Sequence, residues 1–172
     1  MKRSVQREQI FKILFRAEFY DLSEMPQQEQ LYFDSGDMVF TDRDKKYIAE
    51  KVDHILGKCP DIDTMLTQRM KGWTLDRVGR VELSILRLGV YEILWDEDVP
   101  DSVAISEAVE LAKKFGGDEN SGAFVNGVLA SFVKNRPAGF ELKKKEGQDR
   151  YPSQKEPSSS HTDVVQQELR EE

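Results

Sequence analysis

Between Arg80 and Val133 the chain reads RVELSILRLGVYEILWDEDVPDSVAISEAVELAKKFGGDENSGAFVNGVLASFV. The apolar period in that run leaves little room for anything but helices. Leu83, Leu86, Val90, Ile93 and Leu94 recur at spacings of three and four, which predicts a helix over about Asp76–Trp95 and not a strand. Val81, Ile85, Leu88 and Tyr91 widen the apolar surface until only a narrow polar strip remains, through Arg80, Ser84 and Arg87. A helix apolar nearly all round belongs at the centre of a bundle. Asp98-Val99-Pro100 stops it, because proline cannot continue a helix and biases the residue before it away from helical angles. Asp101 or Ser102 can cap a second helix, whose core stripe is Ile105, Ala108, Val109, Ala112 and Phe115. Lys113 and Lys114 suit its last turn and Gly116-Gly117 its end. A third helix runs from about Asn120, with Phe124, Val125, Val128, Leu129 and Phe132 on one face.

The earlier part of the chain repeats the helical pattern. Ser4 can cap an opening helix that buries Ile10, Phe11, Leu14 and Phe15. Arg3 and Arg7, four apart, share a face of it. Phe15 and Phe19 are also four apart; such a pair is usually core, and an exposed one marks a docking surface. After a connection over 21–26, a short helix is expected around Gln27–Phe33. Thr41-Asp42-Arg43-Asp44 resembles a capping box. It opens a helix carrying Ile48, Val52, Ile55 and Leu56 that is expected to stop at Gly57. Pro60 suits the first turn of another, with Ile62, Met65, Leu66 and Met70 inward, and Trp73 beyond it is read as covering the core edge. No stretch has strand character, so the fold class is all-α, with about seven helices.

Composition narrows the function. One cysteine, Cys59, and two histidines, His54 and His161, offer no disulfide framework, no cysteine or histidine metal site and no general base of the histidine type. No metal and no cofactor is expected. The basic start is followed by no apolar run of signal-peptide type, and no run approaches membrane-spanning length. A soluble, cytoplasmic protein is the expectation. The net charge of −7 argues against an indiscriminate nucleic-acid binder. Residues 1–16, however, hold Lys2, Arg3, Arg7, Lys12 and Arg16 against Glu8, a local +4 that leaves −11 for the rest. Such a basic end is either a phosphate-contacting patch or an ordinary solvated face. Beyond 137 the character changes: Lys143-Lys144-Lys145, Pro152, Pro157 and Ser158-Ser159-Ser160 lie among few large apolar residues. A body over 1–137 and a disordered polar tail over 138–172 are expected, since such a tail cannot bury enough surface to offset its ordering entropy.

Nothing points to catalysis. Glu82, Glu92, Glu107 and Glu110 fall on helices without a nucleophile or metal ligands beside them. Ser84, Ser106 and Ser121 lack a histidine partner in any recognisable arrangement. Gly116-Gly117 sits at a helix end and is no phosphate loop.

Several linked words carry a family resemblance: Ile85-Leu86-Arg87-Leu88, Tyr91-Glu92, Val99-Pro100, the run Ala104 to Lys113, Phe115-Gly116, and Phe124-Val125-Asn126-Gly127-Val128-Leu129. In that order they resemble the C-terminal half of the NusB family of bacterial transcription antitermination factors. Arg7-Glu8 and Ile13-Leu14-Phe15 resemble its opening helix. Ser106 departs from the family's frequent asparagine. The resemblance implies two small helical bundles packed across each other and a bacterial cytoplasmic protein that is not an enzyme. It implies a factor that binds the boxA element of nascent ribosomal RNA with the ribosomal protein NusE, in an RNA polymerase antitermination complex. By position, Lys2, Arg3 and Arg7 match the family's basic RNA contacts. Phe115 and the loop Gly116, Gly117, Asp118, Glu119 and Asn120 match a second RNA-facing region, where the next helix also offers backbone N–H groups. Phe15 and Glu82 match the NusE-facing surface and Phe19 extends it, although Phe15 also fits the buried stripe. A helical adaptor for a protein partner, or an RNA chaperone in ribosome assembly, are the alternatives. Domains of this type also front some RNA cytosine methyltransferases, whose catalytic domain this sequence does not contain.

Overall fold

The computed structural model describes residues 1–36, 38–70 and 72–141. Among them are six α-helices and no strand: α1 (Arg3–Arg16), α2 (Met25–Ser35), α3 (Asp42–Arg69), α4 (Arg80–Leu94), α5 (Asp101–Phe115) and α6 (Ser121–Lys134). The first three helices pack together, the last three pack together, and α4 also meets α1 and α3. The result is all-α, two small bundles packed across each other at α4.

That central place follows from the composition of α4. Leu83 to Leu86 and Leu88 to Leu94 are buried. The polar strip is partly enclosed: Arg80 is exposed, Arg87 half-buried and Ser84 buried. The Ser84 hydroxyl donates to the Arg80 carbonyl at 2.8 Å. Arg87 grips both carboxylate oxygens of Asp63, each at 2.8 Å, and also pairs with Glu18. The helix begins four residues later than its period predicts: Leu75–Arg77 forms a 3-10 turn and Gly79 stands at the N-cap.

The clearest difference from the sequence reading is α3. Two helices are expected there, parted by Gly57 and Pro60, and one 28-residue helix runs through both. Interior proline costs about 3 kcal/mol. Against it stands one unbroken stripe, Ile48, Val52, Ile55, Cys59, Ile62 and Leu66, spaced four-three-four-three-four. All are fully buried except the half-buried Cys59. Burial of one such aliphatic side chain contributes about 1.5–3 kcal/mol, so the stripe wins. Thr41 does cap α3, its hydroxyl oxygen accepting from the Asp44 N–H at 3.1 Å. Two other caps differ. Lys2, not Ser4, occupies the N-cap of α1, and Pro100, not Asp101 or Ser102, that of α5.

Of the expected tail, residues 142–172 lie outside the described residues. Phe140, by contrast, sets its ring edge-on against Trp95 with centroids 5.1 Å apart.

Candidate nucleic-acid interface

Lys2 and Arg3 stand exposed at the start of α1. One turn on, the same face runs into α4 and α5, and Arg7 is buried with it. Its Nε donates to Glu92 Oε1 at 2.8 Å, and its Nη1 lies 3.6 Å from Glu107. Only 7% of the Arg7 side chain and 5% of the Glu92 side chain is exposed. The spacing that puts Arg3 and Arg7 on one face holds, but the reading of Arg7 as an RNA-facing cation does not survive its burial. It neutralises a core acid. Burial pushes the Glu92 carboxyl above its ordinary range, against the pull of Arg7. The other Glu92 oxygen has no partner.

The middle of α1 and the end of α5 form a basic and aromatic cluster. Phe115 is half-buried, its ring 5.2 Å from that of Phe11. The ammonium groups of Lys12 and Lys114 lie 5.7 and 5.2 Å from its centroid. Glu8 holds both lysines, at 3.0 and 2.9 Å. Partial burial raises the Glu8 carboxyl, but the bonds from Lys114 and Lys12 outweigh it and leave it below its ordinary range. Sequence reasoning missed Lys12 and Lys114 as members of the site. The signal was present, since Lys12 belongs to the basic segment and Lys114 adjoins Phe115. The fold alone shows that they meet.

The loop from Gly116 to Asn120 is built around Glu82. Glu82 Oε1 accepts from the Gly117 N–H at 2.9 Å and from the Ser121 hydroxyl at 2.7 Å. The Asp118 N–H donates to Ser121 Oγ at 3.3 Å, and the Asn120 N–H to Asp118 Oδ1 at 2.6 Å. The expected donors for a ligand are therefore partly used within the loop: the N–H groups of Gly117, Asp118 and Asn120 all have acceptors. Gly116 allows the close turn, since a Cβ there would stand 2.3 Å from the Ala112 carbonyl oxygen and 2.5 Å from Ser121 Cβ. Glu119 and Asn120 are exposed, and the Asn120 side chain makes no cap hydrogen bond. Glu82 is thus a loop anchor first. Partial burial raises its carboxyl, and the Gly117 and Ser121 bonds bring it below its ordinary range.

On the neighbouring face Phe15 is half-buried, between Phe11 at 6.5 Å and Phe19 at 5.3 Å. Phe19 is 54% exposed, with the Arg80 guanidinium 4.8 Å from its ring. Tyr20 and Leu22, which follow it in the chain, are exposed as well. Phe15 is therefore the middle of an aromatic row that runs from buried Phe11 to Phe19, its exposed tip. Trp73, expected to cover the core edge, is instead 54% exposed. Among the described residues no group of three or more His, Cys, Asp or Glu side chains is disposed to hold a metal ion. No helix of theirs is long and apolar enough to cross a membrane.

The NusB family model matches residues 4–134. The chain belongs to the NusB family. A relative named transcription antitermination protein NusB, from Agathobacter rectalis, is 48% identical over 133 residues, covering 77% of this chain and all of the relative. NusB of T. maritima superposes with a TM-score of 0.71 at 33% identity, covering 85% of this chain and 98% of that one. The structure of the antitermination factors NusB and NusE in complex with dsRNA matches at a TM-score of 0.64 and 28% identity. That match covers 78% of this chain and 98% of the other. Each of these NusB proteins corresponds over nearly its whole length to the helical body described above.

Proposed function

We propose that this NusB-family chain is a transcription antitermination factor. It binds the boxA element of nascent ribosomal RNA together with the small-subunit ribosomal protein NusE, as part of a cytoplasmic RNA polymerase antitermination complex. The observation that supports this most directly is the match to a NusB solved with NusE and RNA. The activity is binding, and no bond is made or broken. Lys2 and Arg3 hold phosphates. Phe115 and the loop Gly116, Gly117, Asp118, Glu119 and Asn120 face the RNA, with Lys12 and Lys114 supplying charge beside the ring. Unpaired bases can stack on aromatic side chains or bond at their edges, which is how single-stranded RNA is read. Arg7 acts from inside, by fixing α1 against α4. Phe19, with Phe15 behind it and Arg80 above it, offers NusE an apolar contact that is charged at its rim. Glu82 serves that face through the loop it holds.

The test is a titration of the protein with boxA RNA, with and without NusE, at two salt concentrations. The reading expects affinity to fall with salt and to rise when NusE is added. An affinity for NusE without any for RNA would instead make the chain a protein adaptor.

A further inference from the structure

Trp73 is the largest exposed side chain that the reading above leaves without a role. Gly72 adopts φ +79°, a conformation side chains disfavour, and the Trp73 N–H donates back to the Met70 carbonyl at 3.2 Å. The indole stands 6.4 Å from the ring of Phe124, the two planes open at 50°. Together they wall a pocket of about 560 Å³. That size suits a small planar group. Gly79 and Asn120, the N-cap residues of α4 and α6, belong to its lining. Among the described residues, Arg77 is the one cation of the lining and can meet a phosphate. The two acids of the lining are both engaged: Glu82 by Gly117 and Ser121, Asp118 by Asn120. The Asn120 side chain, which can both donate and accept, remains available to a ligand's edge.

We infer that this pocket is a slot for one unpaired nucleobase of the bound RNA. The base stacks on Trp73 and meets Asn120 at its edge, and its phosphate lies toward Arg77. The inference rests on the RNA-binding reading and extends it, because the loop of Gly117, Asp118 and Asn120 forms one side of the slot. Stacking is the interaction that suits this arrangement. Every base has a flat face, and an aromatic side chain can hold it without reading its sequence.

The experiment uses the full chain and a short boxA-type single-stranded RNA, alone and with NusE. Trp73→Ala should weaken RNA binding roughly 5- to 150-fold, the loss expected of one base stack. Trp73→Phe should recover most of it. The salt dependence should stay unchanged in both, since no phosphate contact is removed. The protein has two tryptophans. In Trp95→Phe, therefore, emission comes from Trp73 alone, and RNA should quench it. Circular dichroism checks each fold. If wild type binds the RNA while Trp73→Ala binds equally well and Trp73 emission is unmoved, the slot is wrong and the RNA reading stands. If Trp73→Ala loses NusE affinity and keeps RNA affinity, the pocket is a protein contact and the slot is overturned. If wild type binds no RNA with or without NusE, the broader reading falls and takes the slot with it.

Discussion

Arg7→Ala and Arg3→Ala look equivalent in sequence and should behave in opposite ways. Arg7 is 6% exposed, and its guanidinium is 2.8 Å from a Glu92 carboxylate that is itself 4% exposed. Removing the guanidinium strands that carboxylate in the core. One Glu92 oxygen already lacks a partner, so little remains to compensate it. Breaking a buried pair from one side costs about 3–5 kcal/mol. In a domain of this size each kcal/mol lowers Tm by about 2–4 °C, so the melt should fall by roughly 6–20 °C. Arg3 is exposed and makes no ion pair among the described residues. Arg3→Ala should leave Tm nearly unmoved and shrink the log–log salt slope of RNA binding by about 0.7. Differential scanning calorimetry and salt-dependent RNA titration measure both quantities. Replacing Arg7 and Glu92 together by apolar residues of similar volume should recover much of the lost stability, as buried pairs often allow. An Arg7→Ala protein with unchanged Tm and a reduced salt slope would refute the burial argument and return Arg7 to the RNA surface.

Three further outcomes follow from the same contacts. Glu82→Lys should detach the Gly116–Ser121 loop, costing about 1.5–3 kcal/mol for each charge-assisted bond lost; chemical denaturation should show this, and a NusE defect at unchanged stability would instead place Glu82 in the interface. Glu29 is buried on α2 with Oε1 unpartnered, and burial, helped by Asp53, pushes its carboxyl up from 4.5 to about 7. The folded state then binds more protons than the unfolded, so this contribution is present below pH 4.5 and lost as pH rises toward about 7; Glu29→Gln should flatten that fall in Tm. A chain ending at Glu141 should keep its Tm, whereas one ending at Pro137 loses the Phe140–Trp95 contact and should be weaker by at least the roughly 0.5–1.5 kcal/mol of an aromatic pair.

Much of the fold is legible because helical period is a local signal. The three helices of the C-terminal half and the Thr41 cap are written in adjacent residues. The break expected at Gly57 and Pro60 shows where local signals mislead. Each residue disfavours a helix by itself, and only the stripe from Ile48 to Leu66 shows that the core face passes through them in phase. The capping choices at Ser4 and Ser102 fail for a related reason. A cap is decided by where the chain turns, and tertiary packing sets that turn.

The site is less legible, because charge in sequence is not charge at the surface. The +4 of residues 1–16 divides once the chain is folded. Arg7 goes to Glu92, 85 residues away, Lys12 to Glu8, and Arg16 to the Gln28 carbonyl and the Tyr32 ring. Lys2 and Arg3 are the members of that set without an ion pair or ring contact among the described residues. What compensates is Lys114, which arrives from a segment 106 residues beyond Glu8. A single-stranded RNA on this surface would therefore be held by two arms, the start of α1 and the end of α5, joined at Phe115. Each arm alone carries too little free charge to bind tightly, given a body near −5 from 19 cations and 24 acids over residues 1–137. Affinity must then draw on contacts that salt does not screen. On the proposed reading, that places weight on the aromatic groups, Phe115 between the arms and Trp73 beyond the loop, and on a protein partner that would dock at Phe19.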